Sequence, residues 1–211
     1  MDALVALSQG APVAAILLAL ILVASVIGLT VAPSVVERSL FRPYWLVRRG
    51  EYGTLLSSAF VHADYAHLLF NAFTFWAFAF GLERAIGSGR FLALYLIGLL
   101  ASDLGTWIRH RHDQGYATLG ASGAILAVLF ASILYFPGAS LYILPLPVPI
   151  PAPLFALAYL AYTWWASRRG RGRINHDAHL SGAVAGVAFV LLTDPDAARR
   201  ALRQFSSTFG S

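Results

Sequence analysis

The chain has 211 residues, 58% of them hydrophobic and only 12% charged, with a mean hydropathy of +0.69. A soluble domain is typically about 25% charged, so this composition excludes an ordinary soluble enzyme and calls for a chain embedded in a membrane. The net charge is +5 and every basic residue is arginine, placed between apolar runs where it suits lipid headgroups rather than nucleic acid; with no cysteine, disulfides, thiolate metal sites and cysteine nucleophiles are ruled out.

The first apolar segment covers about residues 12–32 and lies in a stretch without charge from Ala3 to Val36. It is long for the apolar core of a signal peptide, and a retained spanning helix is expected. A loop of Pro33–Ala63 follows, mixing Arg38, Arg42, Arg48 and Arg49 with Phe41, Tyr44, Trp45 and Tyr52. Arginine interleaved with aromatics belongs at a membrane interface, and a loop of this length is usually functional or partly structured.

Residues 65–82 form the second predicted span, closed by Glu83-Arg84, and Gly87-Ser88-Gly89-Arg90 reads as a tight turn into a third span at 91–108. The polar stretch Arg109–Thr118 leads to Gly120-Ala-Ser122-Gly123 and an apolar run to Phe136. As a helix, residues 120–136 would be about 25 Å long, a few Å short of a hydrocarbon core of about 30 Å. Ser122 is therefore expected to start its helix below the membrane surface. Prolines at 145, 147, 149, 151 and 153 suggest an extended, polyproline-like hairpin connector. A fifth span is read at 152–166, then an arginine loop (168, 169, 171 and 173), then a sixth at 178–192 closed by Asp194-Pro195. The fold class expected is all-α: a single membrane-embedded domain over residues 1–211, built as a six-helix bundle.

Direction of travel then groups the polar residues. The second, fourth and sixth segments cross in the same sense. His67 and Asn71 share a face near the start of the second, Ser122 starts the fourth, and His179 lies near the start of the sixth with Gly182 and Gly186 on its own face. All four fall in one leaflet at similar depth. Polar groups inside a membrane are costly and mark function by default; the plainer alternative is hydrogen-bond glue between helices, with Gly123, Ala127 and Ala131 as a small-residue packing stripe.

The chemistry fits a hydrolase. Ser122 needs a base to take its proton, and His179 stands at the right depth. A tetrahedral oxyanion needs donors, which the Ser122 backbone N–H, the Asn71 amide and His67 supply. Asp177 is two residues from His179, off its helical face, and is expected to cap the helix instead. A serine–histidine dyad, without a third acidic member, is the arrangement expected.

These motifs together (His67-Leu-Leu-Phe-Asn71, Glu83-Arg-Ala-Ile-Gly87-Ser-Gly89, Gly120-Ala-Ser122-Gly123 and Ala178-His179-Leu-Ser-Gly182) resemble the rhomboid family of intramembrane serine proteases over about residues 51–192. The resemblance implies a six-helix core that cleaves transmembrane substrates at or near the membrane surface without a cofactor. It makes Ser122 the nucleophile, His179 the base, and His67 and Asn71 oxyanion donors. It also implies lateral substrate entry near the second and fifth helices, under a cap from the loop after the fifth. Two positions depart from the family pattern. Gly53-Thr54 stand where many members carry a Trp-Arg pair that anchors the first loop. Leu126 stands four after the serine, where many carry an aromatic stacked on the catalytic histidine. The imidazole must then be held by aliphatic packing or by another ring.

The expected partners are single-span membrane-protein substrates and the lipid bilayer, with no nucleic acid, metal or cofactor. The rival readings are a catalytically inactive rhomboid-like binding or quality-control factor, a metal protease using His62, His67, His176 and His179, and a transporter. The metal reading lacks a His-Glu-x-x-His motif, and the transporter reading lacks repeats and midplane ion sites. Ten arginines fall in loops on the side of Ser122 and five on the other, which by the positive-inside rule would turn the site toward the cytoplasm. The resemblance implies the reverse, with both termini cytoplasmic and the site facing out of a bacterial inner membrane. That orientation is the expectation adopted, since arginines in a long interfacial loop can snorkel into headgroups.

Overall fold

The computed structural model describes residues 9–142, 148–169 and 174–209. In chain order its elements are α1 (Pro12–Thr30), α2 (Pro33–Ser39), α3 (Pro43–Arg48), α4 (Thr54–Ser57) running into a 3-10 turn at Ser58–Phe60, α5 (Tyr65–Ile86), α6 (Ser88–His110), α7 (Ser122–Tyr135), β1 (Ser140–Tyr142), β2 (Pro149–Pro151), α8 (Ala152–Arg169), α9 (His176–Thr193) and α10 (Pro195–Phe209). The protein is an all-α polytopic membrane protein. Helices α1, α5, α6 and α9 are each long and apolar enough to cross a bilayer.

Helix α7 is the axis of the molecule. It is apolar but has only 14 residues, about 21 Å by helical rise, and every residue from Gly123 to Ile133 is buried. A helix apolar all round belongs inside a protein, and α7 is enclosed by α5, α6 and α9, with α8 and α10 against it as well. Its shortness is permitted because protein, not lipid, surrounds its length. Small residues set the spacing. A Cβ on Gly182 of α9 would strike the Gly123 carbonyl, and one on Gly186 would strike the carbonyl of Ala127. The backbones of α7 and α9 thus run in contact, the small-residue approach that drives helix association in lipid.

At the far end from Ser122, Glu83 is fully buried. Its carboxyl oxygens accept from the backbone N–H of Val13 (3.1 Å) and Ala14 (2.6 Å) and from the Ser88 hydroxyl (2.6 Å). Helix α1 has no cap of its own. Its first-turn amides, which lack intrahelical partners, are capped instead by a side chain from α5.

Several boundaries differ from the sequence reading. The supposed turn at 87–90 is only Gly87, at φ +81°, with α6 already begun at Ser88. The proline-rich connector holds a short antiparallel hairpin, Ser140 opposite Pro151 and Tyr142 opposite Pro149, while Pro145 and Pro147 lie outside the described residues. After Asp194 the chain continues as α10, which the sequence reading did not include. Asp194 accepts from the N–H of Ala197 (2.9 Å) and from the Tyr135 hydroxyl (3.0 Å), and Ala197, Ala198 and Ala201 are buried. Helix α10 is strongly amphipathic, with small residues inward and arginines outward.

Candidate active site

The N-termini of α5, α7 and α9 meet at one end of the bundle, and the loop between α1 and α5 closes over them. Ser122 is the first residue of α7. Gly120, two residues earlier, has φ +120°, a conformation that L side chains rarely adopt, and a Cβ there would sit 2.7 Å from His67 Cε1. Glycine at this turn lets the His67 ring lie directly over the backbone that leads into Ser122.

The backbone donors of this turn can be followed one by one. Thr118 N–H donates to Phe41 O (3.0 Å), Gly120 N–H to Ser58 O (2.8 Å) and Ala121 N–H to His62 Nε2 (3.5 Å). Phe41 N–H returns a bond to Thr118 O (2.8 Å), forming an isolated antiparallel bridge. Ser122 N–H comes next and, at the first position of a helix, has no intrahelical acceptor. The loop therefore holds the turn and, among the described residues, accepts nothing from the Ser122 N–H.

The loop itself is held by Arg42, which grips Glu51 through two bonds (3.1 and 3.0 Å), and by the fully buried Phe41. This is how it is anchored although Gly53-Thr54 replace a Trp-Arg pair.

Asp64 caps α5 by accepting from His67 N–H (2.8 Å), which sets the rotation of the helix carrying His67 and Asn71. Asn71 is buried and, among the described residues, its Nδ2 has no hydrogen-bond partner. A buried amide donor left unpaired costs about 1–3 kcal/mol, so its persistence asks for a use.

Asn175 caps α9, accepting from Ala178 N–H (3.0 Å) and donating to Thr106 Oγ1 of α6 (2.9 Å). This corrects the expected cap at Asp177. Asp177 Oδ2 instead meets His110 Nε2 at 3.1 Å, with the His110 ring stacked on Tyr116 at 3.6 Å. A Cβ on Gly123 would lie 3.3 Å from Ala178 O, so the residues adjoining Ser122 and His179 touch.

The His179 Nδ1 is 3.0 Å from the Tyr159 hydroxyl of α8, and the two rings lie at 6.5 Å and 24°. Tyr159 is thus the other ring that the sequence left unnamed, and it packs against the apolar cluster that holds Leu126 and Phe130. Engaging Nδ1 leaves Nε2 as the nitrogen free for proton transfer.

His62 was read only as a possible metal ligand. It is fully buried, with Nδ1 2.9 Å from Ser25 Oγ, which in turn donates to Phe60 O (3.0 Å). With Ser25 spending its proton on Phe60, Nδ1–H donates to Ser25 and Nε2 accepts from Ala121. This pattern assigns a neutral ring with its proton on Nδ1. Burial first, and the neighbouring His67 second, lower its pKa from 6.5 to about 3, against an upward pull from Asp64. Both nitrogens are occupied, so His62 has no lone pair to offer a metal.

The architecture is that of a multi-pass membrane protein with a serine, two histidines and an asparagine gathered at one end of its bundle. Residues 49–195 match the Rhomboid domain, and the chain belongs to the rhomboid family. It is 38% identical over 82 residues to the putative rhomboid protease YdcA of Bacillus subtilis, covering 39% of this chain and 40% of that protein. It is 36% identical over 86 residues to the rhomboid protease GluP of the same organism, covering 41% of this chain and 16% of that protein. It is also 32% identical over 158 residues to the mitochondrial RHOMBOID-like protein 12 of Arabidopsis thaliana, covering 67% of this chain and 47% of that protein. The matched regions thus span less than half the length of these relatives.

Proposed function

We propose that this chain is an intramembrane serine endopeptidase that hydrolyses peptide bonds in or next to transmembrane segments of single-span membrane proteins. Ser122 Oγ attacks the scissile carbonyl carbon while His179 Nε2 takes its proton, giving a tetrahedral oxyanion. Ser122 N–H, Asn71 Nδ2 and His67 donate to that oxyanion. Collapse expels the amine, which receives the proton from His179, and leaves an acyl-enzyme. Water, deprotonated by His179, then releases the acid and restores the serine. No metal or cofactor takes part. The chain is placed in a bacterial cytoplasmic membrane with the site facing outward, an orientation that rests on the family.

The observation that carries this reading is the Asn71 amide, buried and unpaired on the helix face that also carries His67. An oxyanion site needs a donor preorganised and empty, and the Asn71 amide beside His67 meets that need.

The test is cleavage of tagged single-span proteins in liposomes, with fluorophosphonate labelling of the purified chain. Ser122→Ala and His179→Ala should each abolish both, and the double variant should be no worse, as residues acting as one unit behave. Asn71→Ala should lose about 10²–10³ in rate and keep residual activity, with unchanged stability. Turnover by Ser122→Ala equal to wild type would overturn the serine mechanism, and a wild-type chain that neither cleaves nor labels would favour the binding factor.

A further inference from the structure

Helix α3 lies against the end of α6, and between them is a cleft of about 390 Å³ lined by Pro43, Val47, Arg48, Trp107, Arg111 and His112. Two of its six lining residues are guanidinium groups, and no carboxylate lines it. The nearby acids are engaged elsewhere: Glu51 by Arg42, Asp177 by His110, and Asp113 by the N–H of Gly115. Arg48 is held over the Tyr44 ring at 3.9 Å and donates one N–H to Tyr44 O (2.8 Å). Arg111 is held over Trp107 at 5.1 Å. Each guanidinium has five N–H donors, so both are oriented by an aromatic and still have donors to give.

What lies alongside decides the ligand. Leu100, Leu104 and Ile108 are 56%, 55% and 57% exposed. At helical spacing they form one apolar stripe on α6 that runs through Trp107 to Arg111. Val47, 60% exposed, extends it onto α3. An apolar stripe rising from the hydrocarbon region to two arginines that, among the described residues, face no carboxylate matches an acyl chain topped by a phosphate.

We infer that this cleft is a binding site for one anionic glycerophospholipid, its phosphate between Arg48 and Arg111 and one acyl chain along Leu100, Leu104 and Ile108. Bound there, the lipid bridges α3 to α6. Because the same loop holds the turn at Ser122 through Phe41 and Ser58, the lipid stiffens the frame around the site without touching it. A free phosphate would satisfy the arginines and leave the apolar stripe unused.

The test uses the full chain purified in neutral detergent, with phosphatidylglycerol or phosphatidylcholine added. Binding is read by native mass spectrometry and by melting temperature. The expected result is a preference for phosphatidylglycerol of about tenfold or more, with a rise in melting temperature. The preference should vanish in Arg48→Gln/Arg111→Gln and persist in Arg199→Gln/Arg200→Gln at the opposite end. Inorganic phosphate should produce no comparable rise. The inference is overturned if the cleft variant keeps the preference, if both variants lose it equally, or if inorganic phosphate reproduces the shift. Should the double variant not melt cooperatively, Leu104→Asp, which leaves both arginines in place, should lose phosphatidylglycerol adducts, and retention of them would equally overturn the inference.

Discussion

Tyr159→Phe isolates one hydrogen bond at the proposed base. The ring remains, so the stack on His179 at 6.5 Å and 24° is preserved, and only the 3.0 Å contact between the hydroxyl and Nδ1 is lost. In the ground state that bond joins neutral groups and is worth about 0.5–1.5 kcal/mol. When His179 has taken the Ser122 proton it becomes an imidazolium, and bonds to charged groups are worth about 1.5–3 kcal/mol. The difference, about 1–1.5 kcal/mol, is felt only as the transition state is approached, and corresponds to about tenfold in rate. The variant should therefore lose about tenfold in kcat at nearly constant KM, with a melting temperature close to wild type. Tyr159→Leu removes the stack too, adding about 0.5–1.5 kcal/mol, and should fall further. Steady-state cleavage of a reconstituted single-span substrate over a range of substrate-to-lipid ratios separates kcat from KM. A Tyr159→Phe enzyme within twofold of wild-type kcat would refute the claim that this hydroxyl orients the base.

Two other predictions concern stability. Glu83→Gln replaces a buried carboxylate that accepts three hydrogen bonds with an amide that turns donors toward Val13 or Ala14. A loss of about 2–3 kcal/mol is expected, read by reversible unfolding in mixed micelles; an unchanged midpoint would show that α1 is held by packing alone. His62 protonates far more readily unfolded, at about 6.5, than in the native loop, at about 3. Between those values the unfolded state binds the extra proton, so stability should fall as pH drops from 6.5 toward 3. His62→Gln should flatten that acid limb in melting curves, and an identical limb in the variant would assign it to other groups.

How much of this was legible in the sequence follows from the geometry each inference needed. Ser122, His67, Asn71 and His179 could be grouped from helical period and the direction of each span alone, because all four lie within a few residues of a helix start. The close contact of Gly123 with Gly182 was likewise foreshadowed by small residues at helical spacing. Tyr159 was not legible. Helix α8 carries Tyr159, Tyr162, Trp164 and Trp165, and which of these turns inward depends on a rotation that no spacing rule gives. Glu83 looked like the charged end of a span, since two of its three partners are backbone amides some seventy residues away, which carry no side-chain signal. Helix α10 escaped because its buried face is alanine, too small to register as an apolar stripe.

The order of donors before Ser122 explains why so long a loop is folded over so small a site. An oxyanion donor stabilises a transition state only if it is fixed beforehand and has no partner of its own. Yet a backbone N–H near the protein interior is normally paired. Here Phe41, Ser58 and His62 accept from Thr118, Gly120 and Ala121 in turn. Each of these acceptors comes from the segment between α1 and α5, and His62 is itself braced on Ser25 of α1. The series stops one residue before the helix begins, where the first-turn amides have nothing to pair with. The first loop therefore accepts from three of the donors that lead into the turn and, among the described residues, takes none from the Ser122 N–H beside the proposed nucleophile. A loop that only covered the site would not need an acceptor at each of these positions.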